Sequence, residues 1–184
     1  MNTRVLVMLS LFVGIGAVLH AVVPPFFLGM RPDMMLAMMF LGILLFPKLP
    51  YVLILSIATG FISALTTTIP GGQVANLIDK PVTGLLVFGM VLMIRPLRQS
   101  KWVASALAAA GTVISGTIFL GLVLNVIGLM DASFSVMFLT VVLPTAALNL
   151  AFMAIIYPIA VSILRRSSIN EALPVSSPSI SKRN

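Results

Sequence analysis

Six apolar runs, separated by short polar breaks, decide what this chain can fold into. Apolar stretches, and the prolines, glycines and charges that interrupt them, place the runs at about Val5–Val23, Met34–Phe46, Tyr51–Ile69, Pro81–Ile94, Trp102–Ile127 and Phe134–Leu164. A helix that crosses a bilayer takes ~20 residues, so the runs use most of the 184 residues and leave no room for a soluble domain. Composition closes the soluble alternative: 60% of residues are hydrophobic and 8% are charged, against about 25% charged in an ordinary soluble domain. Disorder, a secreted disulfide scaffold and a cytosolic enzyme are excluded on the same ground. The expected fold is all-α, a polytopic membrane protein with one six-span transmembrane domain over residues 1–166. The Ser/Pro-rich stretch 167–184 is expected to be a disordered cytoplasmic tail.

Charge then sets orientation. Eleven basic residues stand against four acidic ones. In a soluble chain that excess would suggest nucleic acid. Here the basic residues are scattered between apolar runs with no aromatic–basic patch, and no nucleic-acid partner is expected. With six spans and both termini cytoplasmic, Arg4, Lys48, Arg95, Arg98, Lys101, Arg165, Arg166, Lys182 and Arg183 all fall inside, nine of the eleven, as the positive-inside rule requires. Arg31 and Lys80 fall outside, with Asp33, Asp79 and Asp131.

Met34–Phe46 covers only ~20 Å at 1.5 Å per residue, short of a ~30 Å hydrocarbon core. Making it re-entrant would send Lys48, the Arg95–Lys101 loop and the tail outside, against the charge rule. Pro81–Ile94 also looks short. Phe134–Leu164 is long for one span, and Pro144 and Pro158 are placed to kink or end it. Arg4 and the apolar run after it mimic a signal peptide. The run is long and lacks a small-x-small cleavage site before Pro24-Pro25, so it is expected to stay as the first helix.

Polar groups are costly in lipid and therefore informative. They gather towards the outer face, in loops expected at Gly29–Asp33, Pro70–Pro81 and Gly128–Ser133. A zwitterionic solute needs a cation for its carboxylate, a role open to Arg31 or Lys80, and an acceptor for its ammonium, open to Asp79 or Asp33. The alternative is that these are solvated interfacial charges, or N-caps of the spans that Asp33 and Asp79 precede. Gln73 and Asn76 suit hydrogen bonds to a solute or to an irregular Gly-rich loop. Asn149 suits a ligand contact or an interhelical hydrogen bond. His20 reads as a satisfied interfacial residue, and Trp102 as an anchor at the inner interface. Met34, Met35, Met38 and Met39 would either line an adaptable pocket or simply pack. In the first run Ser10 and Gly14, then Ala17 and Ala21, are small residues four apart, a spacing that lets another helix approach, from this chain or from a partner subunit.

Enzyme chemistries fail on inventory. There is one His and no Cys. Neither Ser63 nor Ser115 has a nucleophile's context. Asp33, Asp79 and Asp131 all map to loops rather than forming an intramembrane pair. No spacing suits a metal, no phosphate loop is present, and no cofactor is expected.

The runs Gly14-Ile15-Gly16-Ala17-Val18-Leu19-His20, Pro24-Pro25, Arg31-Pro32-Asp33-Met34-Met35 and Gly42 to Pro47 together resemble the bacterial tryptophan transporter family of the TrpP type. So do Gly72-Gln73, Asn76, Ile78-Asp79-Lys80-Pro81, Val142-Leu143-Pro144, Asn149 and Ile156-Tyr157-Pro158 through Leu164-Arg165-Arg166. The resemblance runs from about Thr3 to Ser168. Its most specific pieces are Arg-Pro-Asp-Met-Met and Ile-Asp-Lys-Pro. It implies tryptophan uptake across the bacterial cytoplasmic membrane. It also implies a likeness to the substrate-binding S-components of energy-coupling factor (ECF) transporters, which dock through span one onto a transmembrane coupling subunit carrying two cytoplasmic ATPases. The residues themselves suggest that Asp79 and Lys80 hold the amino acid head group and that Gln73, Asn76 and Asn149 add hydrogen bonds; the likeness implies that Ser10, Gly14, Ala17 and Ala21 form the docking face. Two alternatives stay open: a solitary ion-coupled carrier, which would want an intramembrane carboxylate, and a non-transporting assembly or sensor subunit.

Overall fold

The computed structural model describes residues 1–22, 24, 33–94, 100–128 and 133–166. Among these, every regular element is helical. Helix α1 spans Thr3–Val22, α2 Met34–Leu45, α3 Leu49–Thr66 and α4 Gly72–Met93. Helix α5 runs Lys101–Ile127, and its last six residues, Leu122–Ile127, are wound as a π-helix. Helix α6 runs Phe134–Arg166, with a π-helical stretch at Phe138–Val142 between its α-helical parts. Five of these are long and apolar enough to cross a bilayer, and α2, at 12 residues, is not. The expected all-α membrane architecture is what the chain adopts.

The short helix sits in the middle. All 12 residues of α2 are buried, as befits a helix that is apolar on every side, and α2 touches each of the other five. Around it pack Val5, Leu9 and Phe12 of α1, Val52 and Leu55 of α3, Val87 and Val91 of α4, Leu107 and Ala108 of α5, and Met153 and Tyr157 of α6. Met34, Met35, Met38 and Met39 are all buried, the last two within this cluster. The outward faces of the surrounding helices carry the exposed apolar residues, among them Val7, Leu11, Val18, Ile57, Phe61 and Leu65.

One boundary differs clearly from the sequence expectation. Helix α4 begins at Gly72 rather than Pro81, after Gly71 in the left-handed region at φ 75°. Most of the segment expected as the second outer loop is therefore helix. Asp79 is neither in a loop nor an N-cap, and Pro81 lies inside the helix. Two charges followed by proline look like a stop signal, but here the charges are paired inside the bundle and the helix continues. Helices α3 and α4 come close enough to hold them there. A Cβ on Gly60 would meet the Asn76 carbonyl oxygen at 3.0 Å and Lys80 Cβ at 3.2 Å, and one on Gly84 would meet Ser56 Cβ at 2.7 Å. Small residues at helix crossings are how membrane helices approach without a hydrophobic driving force.

Helix α6 is likewise continuous through Pro144 and Pro158. Pro144 has no N–H for the carbonyl of Thr140, and its ring crowds that carbonyl. The π-helical Phe138–Val142 immediately before it absorbs the misfit.

Helices α1, α3 and α5 end, and α2, α4 and α6 begin, at one end of the bundle. At the other end lie Arg4, Lys48, Lys101, Arg165 and Arg166, together with the first and last described helical residues. Trp102 is exposed there, with Lys101 Nζ 5.0 Å from its ring centroid. On α1, Ser10, Gly14 and Ala21 are exposed and Ala17 is half-buried. A Cβ on Gly14 would meet nothing, whereas Gly16 on the opposite face sits against Met35. Arg31, Asp131, the Arg95–Arg98 segment and the tail from 167 lie outside the described residues.

Candidate functional site

A cavity of about 160 Å³ lies at the end of the bundle away from Arg4, Lys48, Lys101, Arg165 and Arg166, and all six helices contribute to it. His20 comes from α1, Asp33 and Leu36 from the start of α2, Ser63 and Thr66 to Ile69 from the end of α3, and Asn76 and Lys80 from α4. Thr112, Ser115, Gly116, Phe119 and Leu120 come from α5, and Val141, Val142 and Thr145 from α6. A cavity of ~150 Å³ admits a benzene ring, so the volume suits an aromatic group. A mostly apolar wall with a few convergent polar groups is the usual make-up of a small-molecule site.

The polar groups converge on Lys80. Its Nζ lies 2.6 Å from Asp33 Oδ2 and 3.0 Å from Asp79 Oδ2, and it donates to Ser115 Oγ at 3.4 Å. The Ser115 hydroxyl in turn donates to Asp79 Oδ2 at 2.6 Å, and the Thr83 hydroxyl donates to Asp79 Oδ1 at 2.8 Å. Asp33 Oδ1 accepts the Leu36 N–H at 3.0 Å, which makes Asp33 the N-cap of α2 that the sequence suggested. The side chains grade inward: Asp33 is 25% exposed, Lys80 3% and Asp79 0%. Burial alone would raise the Asp33 pKa. The Lys80 ammonium opposes this, with a smaller pull from His20 and hydrogen bonds from Lys80 and Leu36, and holds the carboxyl below its ordinary value.

Asp79 corrects a second expectation: a carboxylate does lie inside a spanning helix, and it is fully buried. It is not half of a proton-sharing carboxyl pair, because the Lys80 ammonium bonds to both Asp33 and Asp79. Among the described residues no cluster of His, Asp or Glu can hold a metal.

The other expected site residues divide. Asn76 lines the cavity and its Nδ2 donates to the Ser63 carbonyl at 3.4 Å, tying α4 to α3. Asn149 is fully buried on α6, and its Nδ2 donates to Thr112 Oγ1 of α5 at 2.9 Å, so the interhelical hydrogen bond is present. Gln73 is exposed on α4 and is not among the cavity residues. Arg31 lies outside the described residues.

Residues 2–165 match the family described as "Tryptophan transporter TrpP". The chain belongs to that tryptophan transporter family. Over 172 residues it is 52% identical to a probable tryptophan transport protein of Bacillus subtilis (strain 168), covering 94% of this chain and 99% of the relative. A probable tryptophan transport protein of Clostridium acetobutylicum is 40% identical over 160 residues, 85% of this chain and 91% of the relative. One from Clostridium perfringens (strain 13 / Type A) is 34% identical over 177 residues, 91% and 97% of the two chains. No solved structure matches. This TrpP-family chain is a multi-pass protein of the bacterial plasma membrane, and its relatives are named as transport proteins.

In this TrpP-family fold the cavity also uses side chains that sequence reasoning passed over. Ser115 and Thr83 complete the shell of Asp79, and Thr112, Thr145 and Thr66 to Thr68 line the wall. One signal was available: Thr112 and Ser115 are three apart and share a helix face. A hydroxyl in an apolar helix is otherwise silent, because it can bond its own preceding carbonyl, as Thr112 does with Ala108 O at 2.7 Å.

Proposed function

We propose that the cavity is the tryptophan site and that the Lys80 cluster at its floor holds the amino acid head group. The observation that carries this is a lysine and an aspartate facing one aromatic-sized cavity from α4 and α2, backed by a fully buried second carboxylate. Lys80 offers an ammonium to the solute's carboxylate and Asp33, the most exposed of the three, offers an acceptor to its ammonium. Asp79 holds Lys80 in place from behind. Phe119, Leu36, Leu120 and Val142 supply the apolar wall for the indole, and Asn76 adds a polar edge. The positive-inside rule places the basic end of the bundle in the cytoplasm and the cavity towards the outside.

We further propose that the protein works as the substrate-binding subunit of an ECF-type transporter. The support is the open face of α1, where Ser10, Gly14 and Ala21 are exposed beside Val7, Leu11 and Val18. That face would meet a transmembrane coupling subunit, with two cytoplasmic ATPases supplying the energy. Burial of Asp79 within α4 favours a second reading, a solitary carrier driven by protons or sodium. Titration of purified protein with tryptophan tests the site, and absence of binding would remove it. Uptake in cells lacking any coupling module, abolished by an uncoupler, would replace the ECF reading with the carrier.

A further inference from the structure

Asn149 has one amide atom too few in use. Its side chain is fully buried on α6. The Thr112 hydroxyl has a single proton, which goes to the Ala108 carbonyl at 2.7 Å, so towards Asn149 it can only accept. The amide must therefore present Nδ2 to Thr112, at 2.9 Å, and this fixes its orientation. The carbonyl oxygen, Oδ1, is left buried with no hydrogen-bond partner among the described residues. A buried acceptor without a donor is costly, and an amide that serves only as an interhelical tie has no need of one.

The place of that oxygen narrows its purpose. Thr112 lines the cavity, and so does Thr145, one helical turn before Asn149 on α6. Asn149 is not itself a lining residue; it is joined to Thr112 and stands one turn from Thr145, so a solute group reaches the buried Oδ1 only where these side chains part. The charged cluster is reached through Ser115, on the same face of α5 as Thr112. A head group at Lys80 leaves the aromatic end of the solute to meet the α5–α6 side. We propose that Asn149 Oδ1 accepts the indole N–H and is a specificity-determining group for tryptophan over aromatic amino acids that lack a ring donor. The inference rests on the cavity being the tryptophan site. The indole N–H is a donor only, so a lone acceptor is its natural complement, and a site built around such a bond rejects analogues without it.

The test compares two ligands on the purified full-length protein by calorimetry. One is tryptophan. The other is β-(3-benzothienyl)alanine, in which a ring sulfur replaces the N–H at almost the same size. Wild type should bind the sulfur analogue about ten- to a hundredfold more weakly. In Asn149→Leu, which keeps the shape and loses the acceptor, tryptophan should weaken and the ratio should fall towards one. In Asn149→Asp, which keeps an acceptor oxygen, the ratio should persist. If Asn149→Leu does not fold, Asn149→Ser serves, its side chain being too short to reach. A wild-type ratio near one overturns the inference while leaving tryptophan binding intact, and so does a large ratio that survives in Asn149→Leu. Wild type that binds neither ligand overturns the site itself.

Discussion

Around Phe40, Ile43 and Leu44 the bundle is dry, and α2 is enclosed by apolar side chains from every other helix. Around Lys80 the same helices surround a cavity, and apolar packing shrinks to Leu120, Met137 and Val142 with a few half-buried neighbours. The backbone differs as well. Both π-helical stretches, Leu122–Ile127 and Phe138–Val142, lie at the cavity end, and such turns are most often found at functional sites. One end is held by shape alone, with every position filled. The other is held by a handful of directed bonds among charged and hydroxyl groups. In lipid, apolar packing gains little from transfer out of solvent, so the dry end depends on fit, whereas the cavity end depends on charge pairing.

The sharpest way to break this contrast is Lys80→Met. It leaves Asp33 and Asp79 without their cation, and losing one partner of a buried charge group costs about 3–5 kcal/mol. Thermal unfolding in detergent should drop steeply and tryptophan binding should vanish. A variant as stable and as tight as wild type would show that the cluster is ornamental. Phe40→Ala removes a fully buried ring from the dry end and should lower stability by about 3–5 kcal/mol. Its tryptophan affinity should fall far less than in Lys80→Met, since Phe40 does not line the cavity but packs one turn from Leu36 and against Gly111, beside Thr112. A large loss of affinity there would merge the two ends into one unit. Gly84→Val should cost about 1–3 kcal/mol by overpacking, because its Cβ would meet Ser56 at 2.7 Å. It should weaken binding in step with stability, because α3 and α4 jointly place Lys80; unaltered melting would refute the close crossing. Ser115→Ala removes one hydroxyl from Asp79 and should weaken tryptophan binding by about 1 kcal/mol. The calorimetric titration that detects it would also expose a larger role if the loss were far greater.

The dry end was largely legible in the sequence and the cavity end was not, for a physical reason. Apolar runs announce helices whether or not they touch lipid, so α1, α2, α3 and α5 fall close to their expected places. Asp79-Lys80-Pro81 looked like punctuation because hydropathy treats a charge as facing its solvent. Nothing local says that Asp33, 47 residues away, and Ser115, 36 residues from Asp79, come back to neutralise it. Asp33, Asn76, Asp79, Lys80 and Asn149 were singled out as the rare polar groups in an apolar chain. Their partners Thr83 and Thr112 were missed, and Ser115 was weighed only as a nucleophile, because a hydroxyl leaves almost no mark on an apolar helix. Gln73 shows the limit of proximity in sequence: it is three residues from Asn76 but exposed, while Asn76 lines the cavity.

The shortness of α2 has a geometric consequence. Only three residues separate α2 from α3, so their ends at the basic face are nearly level. Helix α3 is 18 residues long and α2 is 12, a difference of roughly 9 Å at 1.5 Å per residue. Nearly all of that shortfall falls at the other face, directly above Asp33. The cavity is therefore a subtraction, a plug that stops early inside a taller ring. Its depth is written in the number of turns in α2.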